Sequence, residues 1–389
     1  MSDLPLSGVT VIELGASVAA PFAAQVLGDL GARVVKVEKP EGDDARKWGP
    51  PFWDGAAATF QAINRGKQSV KVDMRDADQR AALTDFIMRE ADVVLQNMRP
   101  GQVEKLGLDA ATLQAQKPEL IYCNMGAFGG PGPLDQAPGY DPLMQAFGGL
   151  MSVTGEEGRP AVRVGSSVMD MGTALWAVVG IVSTLYQRRA TGRGRTVDVS
   201  LFETATAWLT VPAAQYLASG EVPRRMGSGM IGLAPYRAFK TADGEIVIAA
   251  GNDGLFAGVC RALGRAEWQG DARFLTNPDR FANSAALYAL MEELLASEPT
   301  EHWHTRLEAE GVPCAPVQNV AQVLEHPHFK ALHVLQKLPD SQLEVIGLPI
   351  RFDGKRPDHQ TRPPACGEHT QILGAHAAPG GAATPDTKE

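Results

Sequence analysis

Apolar and polar positions along the first third of the chain switch between two periods. Val9–Leu14 is a short apolar run, read as a buried strand, and Gly15 breaks it. Ala19–Leu30 then carries helical spacing with Pro21 in its first turn, and Gly31 stops it. Val34–Val37, Ser69–Val72, Asp92–Leu95 and Leu120–Asn124 repeat the strand signature, with helical spacing at Asp76–Glu90. Strands separated by helices predict an α/β fold with a mostly parallel sheet.

From Phe128 to Asp170 the texture changes to turn-rich sequence, with Gly129-Gly130-Pro131-Gly132-Pro133, Pro138-Gly139-Tyr140-Asp141-Pro142 and Gly148-Gly149. Such a segment reads as looped surface that lines something. Met171–Arg189 is apolar on nearly every face, which predicts a buried helix, with Gly192 just beyond its end. Thr196–Leu201 reads as a strand leading into a helix through Trp208. A second Gly-rich loop spans residues 221–235. After it, Tyr236–Lys240 and Glu245–Ala249 flank Asp243-Gly244 as a hairpin. A smaller α+β domain is expected over 221–325, and residues 377–389 read as a disordered tail.

Composition narrows the class. The chain has 389 residues, 44% hydrophobic and 21% charged, which excludes wholesale disorder. Its 36 Lys+Arg against 45 Asp+Glu leave a net charge of −9, which argues against a nucleic-acid or anionic-membrane partner. Cys123, Cys260, Cys314 and Cys366 form no closely spaced pair, and the N-terminus lacks the pattern of a signal peptide. The longest apolar stretch, Leu175–Leu185, is short for a bilayer span. The expectation is a soluble, cytoplasmic protein.

The chemistry starts with what is missing. The first strand–helix turn, Gly15-Ala16-Ser17-Val18-Ala19-Ala20, lacks the later glycines that let a pyrophosphate approach the backbone. That argues against a dinucleotide site, although Glu38 stands where an acid would hold a ribose. Lys36, Lys39, Arg65, Lys67, Arg75, Arg99 and Lys105 recur at strand ends. Together they mark the carboxyl edge of the sheet and suit a multi-phosphate ligand. The eight histidines show no metal-ligand spacing, and no metal site is expected. Asp170 stands between Gly165-Ser166-Ser167 and an apolar helix, as an N-cap, a nucleophile or both. A carboxylate at a helix N-terminus is expected to stay ionised.

Several blocks in order, spread over about residues 5–375, resemble family III CoA-transferases. They include Leu6–Leu14, Leu30–Glu38, Asn64-Arg65-Gly66-Lys67, Asn97-Met98-Arg99-Pro100-Gly101, Gly139-Tyr140-Asp141, Asp170-Met171-Gly172-Thr173, Asp271-Ala272-Arg273-Phe274 and Gly311–Val317. The resemblance implies a catalytic carboxylate at Asp170 and an interlocked homodimer. It also implies a large Rossmann-like domain built from both ends of the chain, residues 1–220 and 326–376. CoA contacts are implied at Val18, Ala19, Lys39, Val72, Asp73, Met74, Arg75, Asn97, Met98, Arg99, Lys105, Ala137, Pro138, Gly139 and Tyr140. Two of these depart from the family pattern: Lys39 replaces an Arg and Met98 an aromatic residue. No permanently bound cofactor is implied. A coenzyme A thioester is a substrate, with an acyl-CoA donor, succinyl-CoA above all, and a free carboxylic acid as acceptor. The family also contains acyl-CoA racemases, which carry Gly-His-Asp where this chain has Gly139-Tyr140-Asp141. Tyr, with a pKa near 10, is a poor proton shuttle in place of His, so the transferase is the leading expectation and the racemase its alternative. A non-catalytic CoA-binding protein is a further alternative, which the motif around Asp170 disfavours. Arg224 or Arg225 is expected to meet a distal carboxylate, which favours short dicarboxylates.

Overall fold

A computed structural model of the chain describes residues 4–339, 341–358 and 361–374. The expected tail at 377–389 lies outside the described residues. Two compact units are present. The first comprises the chain up to Gly148, Gly165–Trp208 and the chain from Leu332 on; the second comprises Gly149–Val164 and Leu209–Ala331.

In the first unit, β1 (Thr10–Leu14), α1 (Ala19–Asp29), β2 (Arg33–Glu38), β3 (Gln68–Lys71), α2 (Ala77–Glu90), β4 (Val93–Gln96) and β5 (Ile121–Gly126) follow in order. Next come α3 (Asp141–Phe147), α4 (Val168–Thr191), β6 (Thr196–Ser200) and α5 (Leu201–Trp208). The six strands form one sheet in which all pairings are parallel, in the order β3-β2-β1-β4-β5-β6. The inner strands β1, β2 and β4 are buried nearly throughout, Glu13, Lys36 and Glu38 included, because both faces of the sheet are covered there. Successive residues point to opposite faces, so Val11 packs with Ala23 and Leu27 of α1 and Ala177 and Ile181 of α4. Its neighbour Ile12 packs with Leu83, Phe86 and Ile87 of α2.

The β1–α1 turn shows why Gly15 stands there. A Cβ on it would lie 2.5 Å from the Ala20 Cβ. The helix expected at 171–189 is present and longer, but it is not buried all round. Leu175, Trp176, Val179 and Tyr186 are exposed, the last by 78%. By length and composition alone α4 would suffice to cross a membrane, yet half of its apolar window is buried. The apolar pattern reports two packing faces, of which this unit covers one.

The second unit holds α6 (Thr210–Ser219), β7 (Tyr236–Lys240), β8 (Glu245–Ala249), α7 (Asp253–Ala262), α8 (Ser284–Leu295), α9 (Thr300–Ala309) and β9 (Cys314–Pro316). β7 and β8 form the expected hairpin, and β9 pairs antiparallel on the other side of β8. Phe239, Ile246, Phe256 and Trp303 centre its core. Its bounds differ from the expected 221–325, since residues 149–164, 209–220 and 326–331 join it as well. One tie is local: the Gly227 N–H donates to the Gly155 carbonyl at 2.8 Å, which fastens the 149–164 segment to the Gly-rich loop.

Candidate active site

The strand order reverses direction between β1 and β4. In open parallel sheets a crevice opens at that point, beyond the carboxyl ends of the strands. Here a cleft of about 610 Å³ opens there, walled by the residues that follow β1, β2, β3 and β4 together with Tyr140. It brings together Lys39, Val72, Asp73, Met74, Arg75, Asn97, Met98, Arg99 and Tyr140 from the expected CoA contacts. It does not gather Val18, Ala19, Lys105, Ala137, Pro138 or Gly139. Ala19 is packed in the core at the start of α1, with Val18 at the N-cap position before it. Lys105 is exposed at the end of the short helix Gln102–Lys105. Gly139 packs on Ala127 and Met144, where a Cβ would lie 2.8 Å from the Ala127 Cβ.

The expected row of cations is split. Lys36, Arg65 and Lys67 do not reach the cleft as ligands, because buried acids hold them inside. Lys36 pairs with Glu13 at 2.7 Å and Asp43 at 2.8 Å, Lys67 with Glu13 at 2.8 Å, and Arg65 with Asp29 at 2.6 Å. Lys39 and Arg75 do face the cleft, paired to Asp44 at 2.7 Å and Asp73 at 2.9 Å. The Arg75 side chain holds the Asp73 carboxyl down at about 2. Arg99 is exposed and makes no ion pair among the described residues. Glu38 is not a free ribose acceptor. Burial would raise its pKa, but hydrogen bonds from Arg46 and Ser69 overcome this and hold it at about 2.

Asp170 stands in the first turn of α4, but it does not cap that helix. Ser167 occupies the N-cap position and makes no side-chain cap bond. The capping carboxylate is Asp141, from the start of α3. Its Oδ2 accepts the Met169 N–H at 2.7 Å and the Asp170 N–H at 3.3 Å, and its Oδ1 accepts from Gln145 Nε2 at 2.6 Å. Two of the free amides at the helix start are thus taken by one carboxylate, the Val168 N–H donates to the Ser166 carbonyl, and the Asp170 side chain takes no part in the cap. Burial, and then the charge of Asp141, pushes the Asp170 carboxyl up to about 7. That corrects the expectation of a carboxylate kept ionised by the helix terminus: desolvation and a like charge outweigh the helix dipole.

Asp141 and Gln145 stand in a stretch that carries the family resemblance, but sequence reasoning gave them no role in the site. Their signal was present, since Asp141-Pro142 opens a helix with Gln145 one turn on, but the partner amides lie 28 and 29 residues away. Tyr140, at the N-cap position of α3, lines the cleft and is followed directly by Asp141. Cleft and Asp170 are therefore joined through two adjacent residues. The arrangement is a carboxyl group linked through Asp141 and Tyr140 to a groove that carries cations. In the second unit, Arg224 is exposed and 3.7 Å from Glu157. Arg225 is half-buried, and its Nη1 is shielded from solvent with no hydrogen-bond partner among the described residues.

Comparison with known proteins gives concordant matches. The model of CoA-transferase family III matches residues 6–370. The chain is 37% identical over 358 residues to the acetyl-CoA:oxalate CoA-transferase of Acetobacter aceti, covering 92% of this chain and 91% of that protein. It is 35% identical over 385 residues to the succinate–glutarate CoA-transferase of Agrobacterium fabrum, covering 95% of each. A crystal structure of a CaiB/BaiF family protein from Brucella suis superposes with a TM-score of 0.88 at 40% identity, covering 95% of this chain and 98% of that one.

Proposed function

Since this chain belongs to CoA-transferase family III and is a CoA-transferase, we propose that it moves CoA from succinyl-CoA to a short free dicarboxylate through a covalent Asp170 intermediate. The observation that carries the reading is the Asp170 carboxyl, shielded, pushed up to about 7 and tied through Asp141 and Tyr140 to the cleft.

An Asp170 carboxylate oxygen attacks the thioester carbonyl carbon. The C–S bond breaks, giving an Asp170–succinyl anhydride and CoA thiolate. The thiolate attacks the Asp170 carbonyl, which releases succinate and leaves an aspartyl-CoA thioester. The acceptor carboxylate attacks that thioester, forming a second anhydride and freeing the thiolate again. Attack of the thiolate on the acceptor carbonyl yields the new CoA ester and restores Asp170. No electrons are exchanged and no net proton moves. The carboxylate serves as nucleophile throughout, which divides one transfer into smaller steps. Both intermediates are prone to hydrolysis, which suits the shielding of Asp170.

The nucleotide end of CoA is assigned to the cleft, where Lys39, Arg75 and Arg99 supply charge for its phosphates. Lys39 and Arg75 exchange Asp44 and Asp73 for the ligand on binding. The dicarboxylate preference is supported by two relatives named for oxalate and glutarate. Arg225 rather than Arg224 is the candidate for the distal carboxylate, because its Nη1 is shielded and has no hydrogen-bond partner among the described residues. The exposed face of α4 supports assembly as a homodimer.

The test is to incubate the enzyme with succinyl-CoA and, separately, oxalate, glutarate, acetate and butyrate, and to follow new CoA esters by mass spectrometry. The reading expects dicarboxylyl-CoA products in preference to acetyl-CoA and butyryl-CoA. Equal use of the monocarboxylates removes the dicarboxylate assignment. No transfer to any acid from succinyl-CoA removes the donor assignment.

A further inference from the structure

Four charged side chains, Glu13, Lys36, Asp43 and Lys67, are sealed beside the cleft, each no more than 1% exposed. Burying charges is costly, and an apolar replacement of similar volume is often no less stable. Their hydrogen bonds show what the cluster holds. Lys36 Nζ donates to Glu13 at 2.7 Å and to the Gly15 carbonyl at 2.9 Å, and it pairs with Asp43 at 2.8 Å. Asp43 Oδ1 accepts the Ala45 N–H at 2.9 Å and the Ser17 N–H at 3.3 Å. Lys67 completes Glu13 from the far side and donates to the Pro21 carbonyl at 2.8 Å.

Gly15 and Ala16 form one wall of the cleft, and Glu38 to Asp44 form another. The charged cluster is thus a brace between two walls that come from different strand ends. The first wall is under backbone strain, because Ser17 has φ of 70° without being glycine. Such a conformation persists only where its surroundings hold it. Asp43 holds it on one side. Asn97 holds it on the other, accepting the Ala16 N–H at 3.0 Å and donating to the Ala16 carbonyl at 2.9 Å.

We propose that Asp43, oriented by Lys36, is a positioning residue that fixes the spacing of the two cleft walls for the nucleotide end of CoA. The inference rests on the assignment of CoA to this cleft. Preset walls leave less conformational freedom to be lost on binding, so the brace acts on CoA affinity rather than on the chemical steps.

Calorimetric titration with CoA itself, beside thermal unfolding, tests this. Asp43→Ala removes both acceptor oxygens and is expected to weaken CoA about tenfold or more. Asp43→Asn is isosteric and keeps one oxygen for the Ser17 and Ala45 amides, so it is expected to recover part of that loss and weaken CoA about threefold. If Asp43→Ala fails to fold, Asp43→Asn carries the test alone. Arg65→Met breaks the buried pair with Asp29, which lies outside the cleft, and is expected to lower the melting temperature with CoA affinity unchanged. CoA binding by folded Asp43 variants within twofold of wild type overturns the proposal. So does an equal loss in Arg65→Met, which would mean general loosening. A wild-type protein that does not bind CoA overturns the cleft assignment itself, and the positioning role with it.

Discussion

A carboxylic acid that must attack a thioester has to lose its proton first, and Asp170 holds its proton up to about pH 7. Transfer activity is therefore expected to rise with pH through an apparent pKa near 7 and to level off above it. Asp141→Asn removes the smaller of the two causes and keeps an acceptor for the Met169 amide. The profile should move to lower pH yet stay above the ordinary 3.8, because burial remains. An unshifted profile in Asp141→Asn would remove the like-charge contribution. The same shift bears on stability. A group whose folded pKa is raised above its unfolded value stabilises fully below the unfolded pKa, and that contribution is lost as pH rises through about 7. Charged Asp170 thus costs roughly 4 kcal/mol by about pH 8. Asp170→Asn should abolish transfer and melt higher than wild type, with a gap that widens from about pH 4 to about pH 8. Thermal melts of equal midpoint at both ends of that range would contradict it. At this scale the sequence singled out Asp170 as a cap or a nucleophile, and the cap falls instead to Asp141. The sequence did not show that Lys36, Arg65 and Lys67 are interior. Their partners Glu13 and Asp29 lie on β1 and α1, and pairing across 23 to 54 residues leaves no local pattern.

Among the elements, the β1–α1 turn was the most legible, because a strand, a Gly and a helix with Pro21 follow in a few residues. The need for Gly15 comes from the close pass of Ala20 rather than from an approaching phosphate. Gly15→Ala is expected to cost about 1–3 kcal/mol of stability and to displace Ala16 from Asn97. The resulting rise in KM for acyl-CoA, with kcat nearly unchanged, is read by steady-state kinetics. An unchanged KM would mean that the turn takes no part in CoA binding. α4 was legible as a helix but not in its burial. An apolar pattern tells how much of a helix avoids water and not which chain covers it. The start of α4 was hidden for another reason: its capping carboxylate comes from α3, so no capping residue stands next to it in the sequence.

For the whole molecule, the uncovered face of α4 is the main consequence. Leu175, Trp176, Val179 and Tyr186 form an exposed apolar stripe on the helix that also carries Asp170. Sedimentation at micromolar concentration is expected to give twice the 41.4 kDa chain mass, and a stable folded monomer would contradict the assembly. The central claim is that Asp170 carries the acyl group and then CoA. It is tested most directly by mixing the enzyme with succinyl-CoA, trapping with borohydride or hydroxylamine, and mapping the modified peptide by mass spectrometry. The account predicts modification on the peptide that contains Asp170 and none in Asp170→Ala. Modification on Asp141 or any other acid, or transfer that persists in Asp170→Ala, would contradict it.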